Sequence, residues 1–238
     1  TPQTFTIQGV SVLKEYIKHR PKAVESVYAS SKYLPDVQKI IENTGIKLFE
    51  TKGSRDQISL DKRRLSPVWA KIIIEPQDGN DLLQEAKSKS SDLILATDHM
   101  TDARNFGAIV RSAAFFGVQN IIVPKDRQAH FTEGSVSTAQ GGFALVDVNI
   151  VVNLRRSLQQ LQKAGYWIVG ADAKGESCSR LAGVYSKIVL VVGAEDKGLS
   201  RGVLETCDVL ASIAGGSSTL DSLNVSVATG ILLHTLSA

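Results

Sequence analysis

Cysteine is scarce. The 238 residues hold only Cys178 and Cys207, with no Cys-x-x-Cys pair and no histidine at ligand spacing from either. Neither a disulfide framework nor a structural zinc site is expected, and the two thiols read as buried or half-buried in a reducing cytoplasm. His19, His99, His130 and His234 are scattered along the chain, so no metal centre is expected. No apolar run approaches the roughly 18 residues that a membrane span needs. The first residues, Thr1 to Thr6, have neither a basic stretch nor an apolar one, so no export signal is expected and the location reads as cytoplasmic. Two phosphate cradles are also missing. Without Gly-x-Gly-x-x-Gly there is no dinucleotide fingerprint, and without Gly-x-x-x-x-Gly-Lys-Ser/Thr there is no P-loop.

Charge is present and unevenly spread. Residues 1–76 carry 13 Lys/Arg against 8 Asp/Glu, whereas the remainder carries 14 against 16. A small basic part on a slightly acidic body suits a module that grips a polyanion. Residues 1–76 read as a small α/β domain. Helices are expected at 10–19 and 35–43 and strands at 24–29, 46–50 and 71–75, with a short helix starting at Ser54 and a basic run at Lys62-Arg63-Arg64. The polar stretch 77–91 reads as a linker with room for one short helix at 81–87.

From Asp92 the pattern turns to α/β alternation. Apolar strands are expected at 93–97, 120–123, 144–148, 166–170, 188–193 and 209–213. Helices such as 105–116 and 154–164 stand between them, each stopped by a glycine, Gly117 and Gly165. Continuous apolar strands separated by helices imply a parallel sheet covered on both faces. Ligands of such a sheet bind beyond the carboxyl ends of its strands.

Three such ends carry chemistry. After the first strand, Asp98 to Arg111 forms a polar loop with Asn105 as a plausible N-cap, followed by Arg111 in an otherwise apolar helix. An arginine there needs an anionic partner or an exposed face. After the strand ending at Val192 come Gly193, Glu195 and Gly198, where glycines let backbone approach a ligand. After Ile213 a small-residue loop leads into a helix starting near Ser222–Asn224. The run Val225–Thr229 is a poor isolated helix former, so tertiary packing must hold it.

Taken in order, these segments resemble the three motifs of the SpoU-type RNA ribose 2′-O-methyltransferases of the trefoil-knotted SPOUT superfamily. The matching residues are Asn105-x-Gly107-Ala108 with Arg111, Gly193-x-Glu195-x-x-Gly198, and Ser222 through Ala228. Ile121 to Arg127 is similar to the bacterial subgroup that makes 2′-O-methylguanosine in 23S rRNA. Residues 5–75 resemble that subgroup's small substrate-binding domain. Ala103 stands where the family often has Pro, and Ala214-Gly215 where the subgroup usually has Pro-Met.

The resemblance implies an α/β fold with a C-terminal trefoil knot in residues 92–238. It also implies a homodimer, S-adenosylmethionine as methyl donor, and RNA, either 23S rRNA or the assembling large ribosomal subunit, as partner. A tRNA enzyme of the same superfamily and an inactive RNA-binding protein on this fold are the rival readings. In the implied site, Arg111 sits at the target nucleotide, where its fork suits a bidentate grip on the adjacent phosphate. Asn105 and Ser222 orient the ribose or the arginine, Glu195 orders the second loop, and Asn224 caps or bridges the loops. Gly193, Ile213, Leu223, Ser222 and Gly170 contact the methyl donor. No metal is needed, because the sulfide leaves as a neutral group.

Overall fold

A computed structural model describes residues 1–51, 66–126, 131–215 and 222–237. The first part runs β1 (Gln3–Gln8), α1 (Val10–His19), β2 (Val24–Ser30), α2 (Leu34–Ile40), β3 (Lys47–Thr51) and β4 (Val68–Ile74). These strands make one sheet in the order β1-β4-β2-β3, with β2 and β3 parallel and the other pairs antiparallel. Side chains alternate across it. Phe5, Ile7, Val27, Ala29, Ala70 and Ile72 are buried in one cluster with Val12, Leu13 and Tyr16 of α1 and Val37 of α2. Both helices therefore cover the same face. Strand β1 has only two apolar residues in its alternation and was not anticipated. Helix α2 stops three residues before the expected Asn43. The expected helix at Ser54 and the basic run Lys62–Arg64 lie outside the described residues.

The second part runs β5 (Gln77–Asp78), α3 (Gly79–Glu85), β6 (Asp92–Asp98), α4 (Ala103–Phe115), β7 (Asn120–Pro124), α5 (Glu133–Ala139), β8 (Asp147–Val151) and α6 (Leu154–Lys163). It continues through β9 (Trp167–Ser177), β10 (Lys187–Gly193), α7 (Arg201–Leu204), β11 (Val209–Ser212) and α8 (Val225–Leu236). Seven strands pair in the order β11-β9-β10-β6-β7-β8-β5, every pair parallel. The polar stretch read as a linker carries more structure than a bare connection. Its β5 forms the sheet's edge on β8, and Asp78 caps α3 by accepting from the Asn80 N–H at 2.9 Å. Strand β8 starts three residues later than expected, because Gly142–Ala144 wind into a 3-10 turn after Gly141 at φ 91°.

Alternate strand residues bury on opposite faces. Ile94, Ala96, Ile122, Val189 and Val191 meet Leu82, Leu154, Leu158, Leu161 and Val203 from α3, α6 and α7. Leu95, Ile121, Leu190 and Val192 face the side of α4, α5 and α8, in a cluster that runs on into the small sheet's core. Fully burying each such side chain is favourable by about 1.5–3 kcal/mol.

The two parts are tied together. Ring contacts link Phe5 of β1 to Phe131 at 6.4 Å, Phe131 to Phe143 at 5.3 Å, and Phe143 to Phe106 of α4 at 6.2 Å. The Arg20 guanidinium donates to the Ala144 carbonyl at 3.0 Å and to Asp147 at 2.8 Å. Helix α4, which carries the first motif, is thus anchored from the small sheet's side.

Candidate functional site

The carboxyl ends of β6 and β10 lie side by side, with Gly193 in register with Asp98. Asp98 is almost fully buried, and one of its oxygens accepts from the Ser200 N–H at 2.6 Å. The other lies 2.6 Å from His99 Nδ1, and His99 leaves the strand at φ 59°. The chain then enters α4 through Asp102, whose carboxylate accepts from the N–H groups of Arg104 at 2.7 Å and Asn105 at 2.9 Å. The expectation that Asn105 caps this helix is therefore corrected. Asp102 caps it, in the favoured acidic position, and the Asn105 side chain is left for another use.

That use joins the three motifs. The Asn105 side-chain amide donates to Glu195 Oε2 at 3.1 Å, and Asn224 Nδ2 donates to Glu195 Oε1 at 3.3 Å and to Asn105 Oδ1 at 3.1 Å. Asn224 Oδ1 accepts from the Ser226 N–H at 3.0 Å and from the Ser226 hydroxyl at 2.6 Å, so Asn224 also caps α8. One carboxylate with two amide donors closes a triangle across turns far apart in sequence. Hydrogen bonds to a charged acceptor are the stronger kind.

Gly193 opens the second turn. A Cβ there would stand 2.1 Å from the Gly198 carbonyl carbon, because the chain folds back on itself. Gly198 closes the fold by donating its N–H to the Ala194 carbonyl at 2.8 Å, at φ 63°. Both glycines are thus required by geometry. Gly170 has a different surrounding. Its missing Cβ space is filled by Cys207 Sγ at 2.6 Å and by Leu199 and Leu210, each at 2.9 Å. Burial, then the carboxylates of Asp208, Asp98 and Asp172, push the Cys207 thiol up to about 12, so it stays a protonated packing group.

Helices α4 and α8 run parallel and in contact. Asn105 meets Asn224 at their starts, Ser112 Oγ would lie 3.7 Å from a Cβ on Gly230, and Phe116 meets His234 at 5.7 Å near their ends. Arg111 is exposed on α4 and has no hydrogen bond or ion pair among the described residues. At about 100° and 1.5 Å per residue, it sits about 120° around the helix from Asn105 and roughly 9 Å further along it. The structure therefore joins Asn105, Glu195 and Asn224 directly and leaves Arg111 further along α4, its fork unengaged among the described residues. Ser222 and Leu223 are exposed at the entry to α8, and Ile213 is half-buried at the end of β11.

Asp98, His99, Asp102 and Ser226 were not singled out from the sequence. Only Asp102 had a readable signal, an acidic residue three before Asn105 in a polar loop.

A family model described as "SpoU rRNA Methylase family" matches residues 92–234. The chain is 34% identical over 240 residues to a Pseudomonas aeruginosa protein named 23S rRNA (guanosine-2'-O-)-methyltransferase RlmB, covering 95% of this chain and 93% of that one. It is 32% identical to an uncharacterized tRNA/rRNA methyltransferase of Archaeoglobus fulgidus, covering 90% and 91% respectively. Among solved structures, the SpoU methyltransferase AviRb of Streptomyces viridochromogenes superposes with a TM-score of 0.77 at 21% identity, over 98% of this chain and 88% of that one.

Proposed function

Because this chain belongs to the SpoU rRNA methylase family and is an RNA 2′-O-methyltransferase that uses S-adenosylmethionine, we propose that it methylates the ribose of a guanosine in 23S rRNA. The observation that carries this reading is the triangle of Asn105, Glu195 and Asn224, which draws the three motif turns into one place. The residues there fit the donor. Gly193 gives a backbone turn with no room for a side chain, Glu195 would supply a negative charge to a cationic donor, and Ile213 and the exposed Leu223 would offer apolar cover. Gly170 and Ser222 complete the proposed donor contacts. When bound, S-adenosylmethionine supplies the methyl group.

The chain's own residues do the positioning. A ribose hydroxyl is a weak nucleophile and must lose its proton as the new bond forms, while alignment accounts for much of the rate. Arg111 grips the phosphate next to the target ribose with both arms of its fork and holds the hydroxyl in line. Its own pKa, above ~12, makes it a poor base, so the proton passes to that phosphate or to water. Asn105 and Ser222 orient the sugar, and Glu195 and Asn224 hold the loops.

Residues 1–76 act as the RNA-gripping domain and 92–238 as the catalytic one. In the second, β10 lies between β6 and β9, and the chain returns from β11 to lay α8 on α4, an order that suits the family's trefoil threading. The active assembly is a homodimer. Val227 and Ile231 on α8 are 52% and 37% exposed and Phe115 on α4 is 83% exposed, an uncovered apolar surface on adjacent helices.

The test uses the purified full chain with methyl-labelled S-adenosylmethionine, offered 23S rRNA, assembling large-subunit particles and tRNA. Label should appear on the 2′-oxygen of one 23S guanosine, and light scattering should give twice the 25.6 kDa chain mass. Label confined to tRNA overturns the substrate, and a monomer that is fully active overturns the dimer.

A further inference from the structure

We propose that the face of the small sheet opposite α1 and α2 binds single-stranded RNA, with Phe49 as the ring on which an unpaired base stacks. This rests on the reading of RNA as substrate and adds the surface that holds it.

The register of β4, β2 and β3 places Trp69, Tyr28 and Phe49 in one row across the sheet, on the face opposite α1 and α2. The Tyr28 ring lies 3.8 Å from that of Trp69 and within 2° of parallel, and 5.1 Å from that of Phe49 at 22°. The rings form a column that ends on β3, at the end of the strand order. Phe49 is 43% exposed, so the last ring of the column is open to solvent. A nucleobase has the same flat, polarisable shape and extends such a column whatever its identity.

The neighbouring row, two residues along each strand, holds Lys47, Ser26 and Lys71. Such rows stand about 7 Å apart. Together with Lys22 they line a groove of about 500 Å³, where, among the described residues, Glu25 is the one carboxylate against three ammonium groups. None of the three lysines makes an ion pair among the described residues. Uncompensated cations beside open ring surface match a ligand that carries phosphates and exposed π-faces together. A double helix keeps its bases stacked on one another and inaccessible to a ring, so the ligand is unpaired RNA. Arg20 and the phenylalanine contacts hold this sheet against the catalytic part, so RNA gripped here is presented to the motif turns at a fixed offset.

The experiment is fluorescence anisotropy with the full chain and a labelled ten-nucleotide unpaired RNA, set against a duplex of the same sequence. Wild type should bind the single strand at least about 10-fold more tightly. Phe49→Ala should weaken that binding about 10-fold or more, while Phe49→Trp keeps it. The double variant Lys47→Gln/Lys71→Gln should flatten the salt slope by about 1.4, from roughly 0.7 per phosphate contact. The KM for rRNA should rise with the loss of affinity, and affinity for S-adenosylmethionine should stay within twofold. If Phe49→Ala does not fold, Phe49→Leu, which keeps the bulk without the ring, is read in its place. The inference is overturned if Phe49→Ala, or Phe49→Leu in its place, binds within twofold of wild type, or if wild type holds the duplex as tightly as the single strand. Failure of the broader reading looks different, because wild type would then transfer no methyl group to any RNA.

Discussion

The two sheets of this molecule solve the same burial problem in opposite ways, and their candidate sites differ accordingly. The seven-stranded sheet is all parallel, so helices return across both faces and seal them. Its chemistry is confined to the strand ends, where tight turns hold Asn105, Glu195 and Asn224 within 3.3 Å of one another. The four-stranded sheet is mixed, and α1 and α2 cover one face. Its other face displays rows of side chains, Trp69-Tyr28-Phe49 and Lys71-Ser26-Lys47. A site at strand ends depends on backbone geometry and should tolerate little. A site on a sheet face is a sum of side chains and should lose function in increments.

The largest effect expected from this contrast is at Gly193. A single added methyl group would lie 2.1 Å from the Gly198 carbonyl carbon and 2.2 Å from its oxygen. Gly193→Ala should cost roughly 3 kcal/mol, at the upper end for forcing an atom into packed space. In a chain of this size that lowers Tm by about 6–12 °C. Affinity for S-adenosylmethionine should fall by about 100-fold if the turn is the donor's cradle. Calorimetric melting and titration with the donor measure both. A variant within twofold of wild type in affinity and within 2 °C of its Tm would remove the strictness claimed for this end of the sheet.

The same contrast governs what could be read in advance. Strand β10 is an unbroken apolar run from Ile188 to Val192, and a strand buried on both faces needs nothing else to announce it. Helix α5 was invisible because its residues, Gly134, Ser135, Ser137 and Thr138 among them, are poor helix formers. It is held by a capping box between Thr132 and Ser135 and by close approach to α4, where a Cβ on Gly107 would stand 2.4 Å from the Ser135 carbonyl oxygen. The aromatic row of the small sheet was missed for a related reason. Tyr28, Phe49 and Trp69 are far apart in sequence, and only strand register brings them together. The triangle was legible only through family resemblance. Asn105 lies 90 residues from Glu195 and 119 from Asn224, and no local spacing couples positions so far apart. Arg111 was flagged by its chemistry, a charge in an apolar helix, and the structure gives that charge an exposed face.

Arg111 sharpens the comparison at an intermediate size. It lies in the strict region, yet it makes no hydrogen bond or ion pair with the triangle or with any other described residue. Its contribution should therefore appear in turnover alone. Arg111→Lys keeps the charge and loses the fork. Methyl transfer should slow by about 30-fold, roughly 2 kcal/mol of barrier, while Tm and donor affinity stay at wild-type values. Single-turnover kinetics with saturating donor separates these effects. A lysine variant that methylates at nearly the wild-type rate would show that one positive charge suffices and that no bidentate grip exists.

The smallest effect concerns what Phe49 contributes to folding. Its ring is exposed and stacks on one neighbour, so truncation to alanine loses one aromatic pair, worth about 0.5–1.5 kcal/mol. That corresponds to a Tm lower by about 1–6 °C, about half or less of the loss expected for Gly193→Ala. The asymmetry matters more than either value. Gly193→Ala adds one carbon and should disable both fold and donor site, whereas Phe49→Ala removes a whole ring and should leave the fold nearly intact. Melting curves of the two variants taken side by side decide it. If Phe49→Ala melts as low as Gly193→Ala, the ring is part of the small domain's structural core, and the sheet face is no longer distinguished from the strand ends by its tolerance.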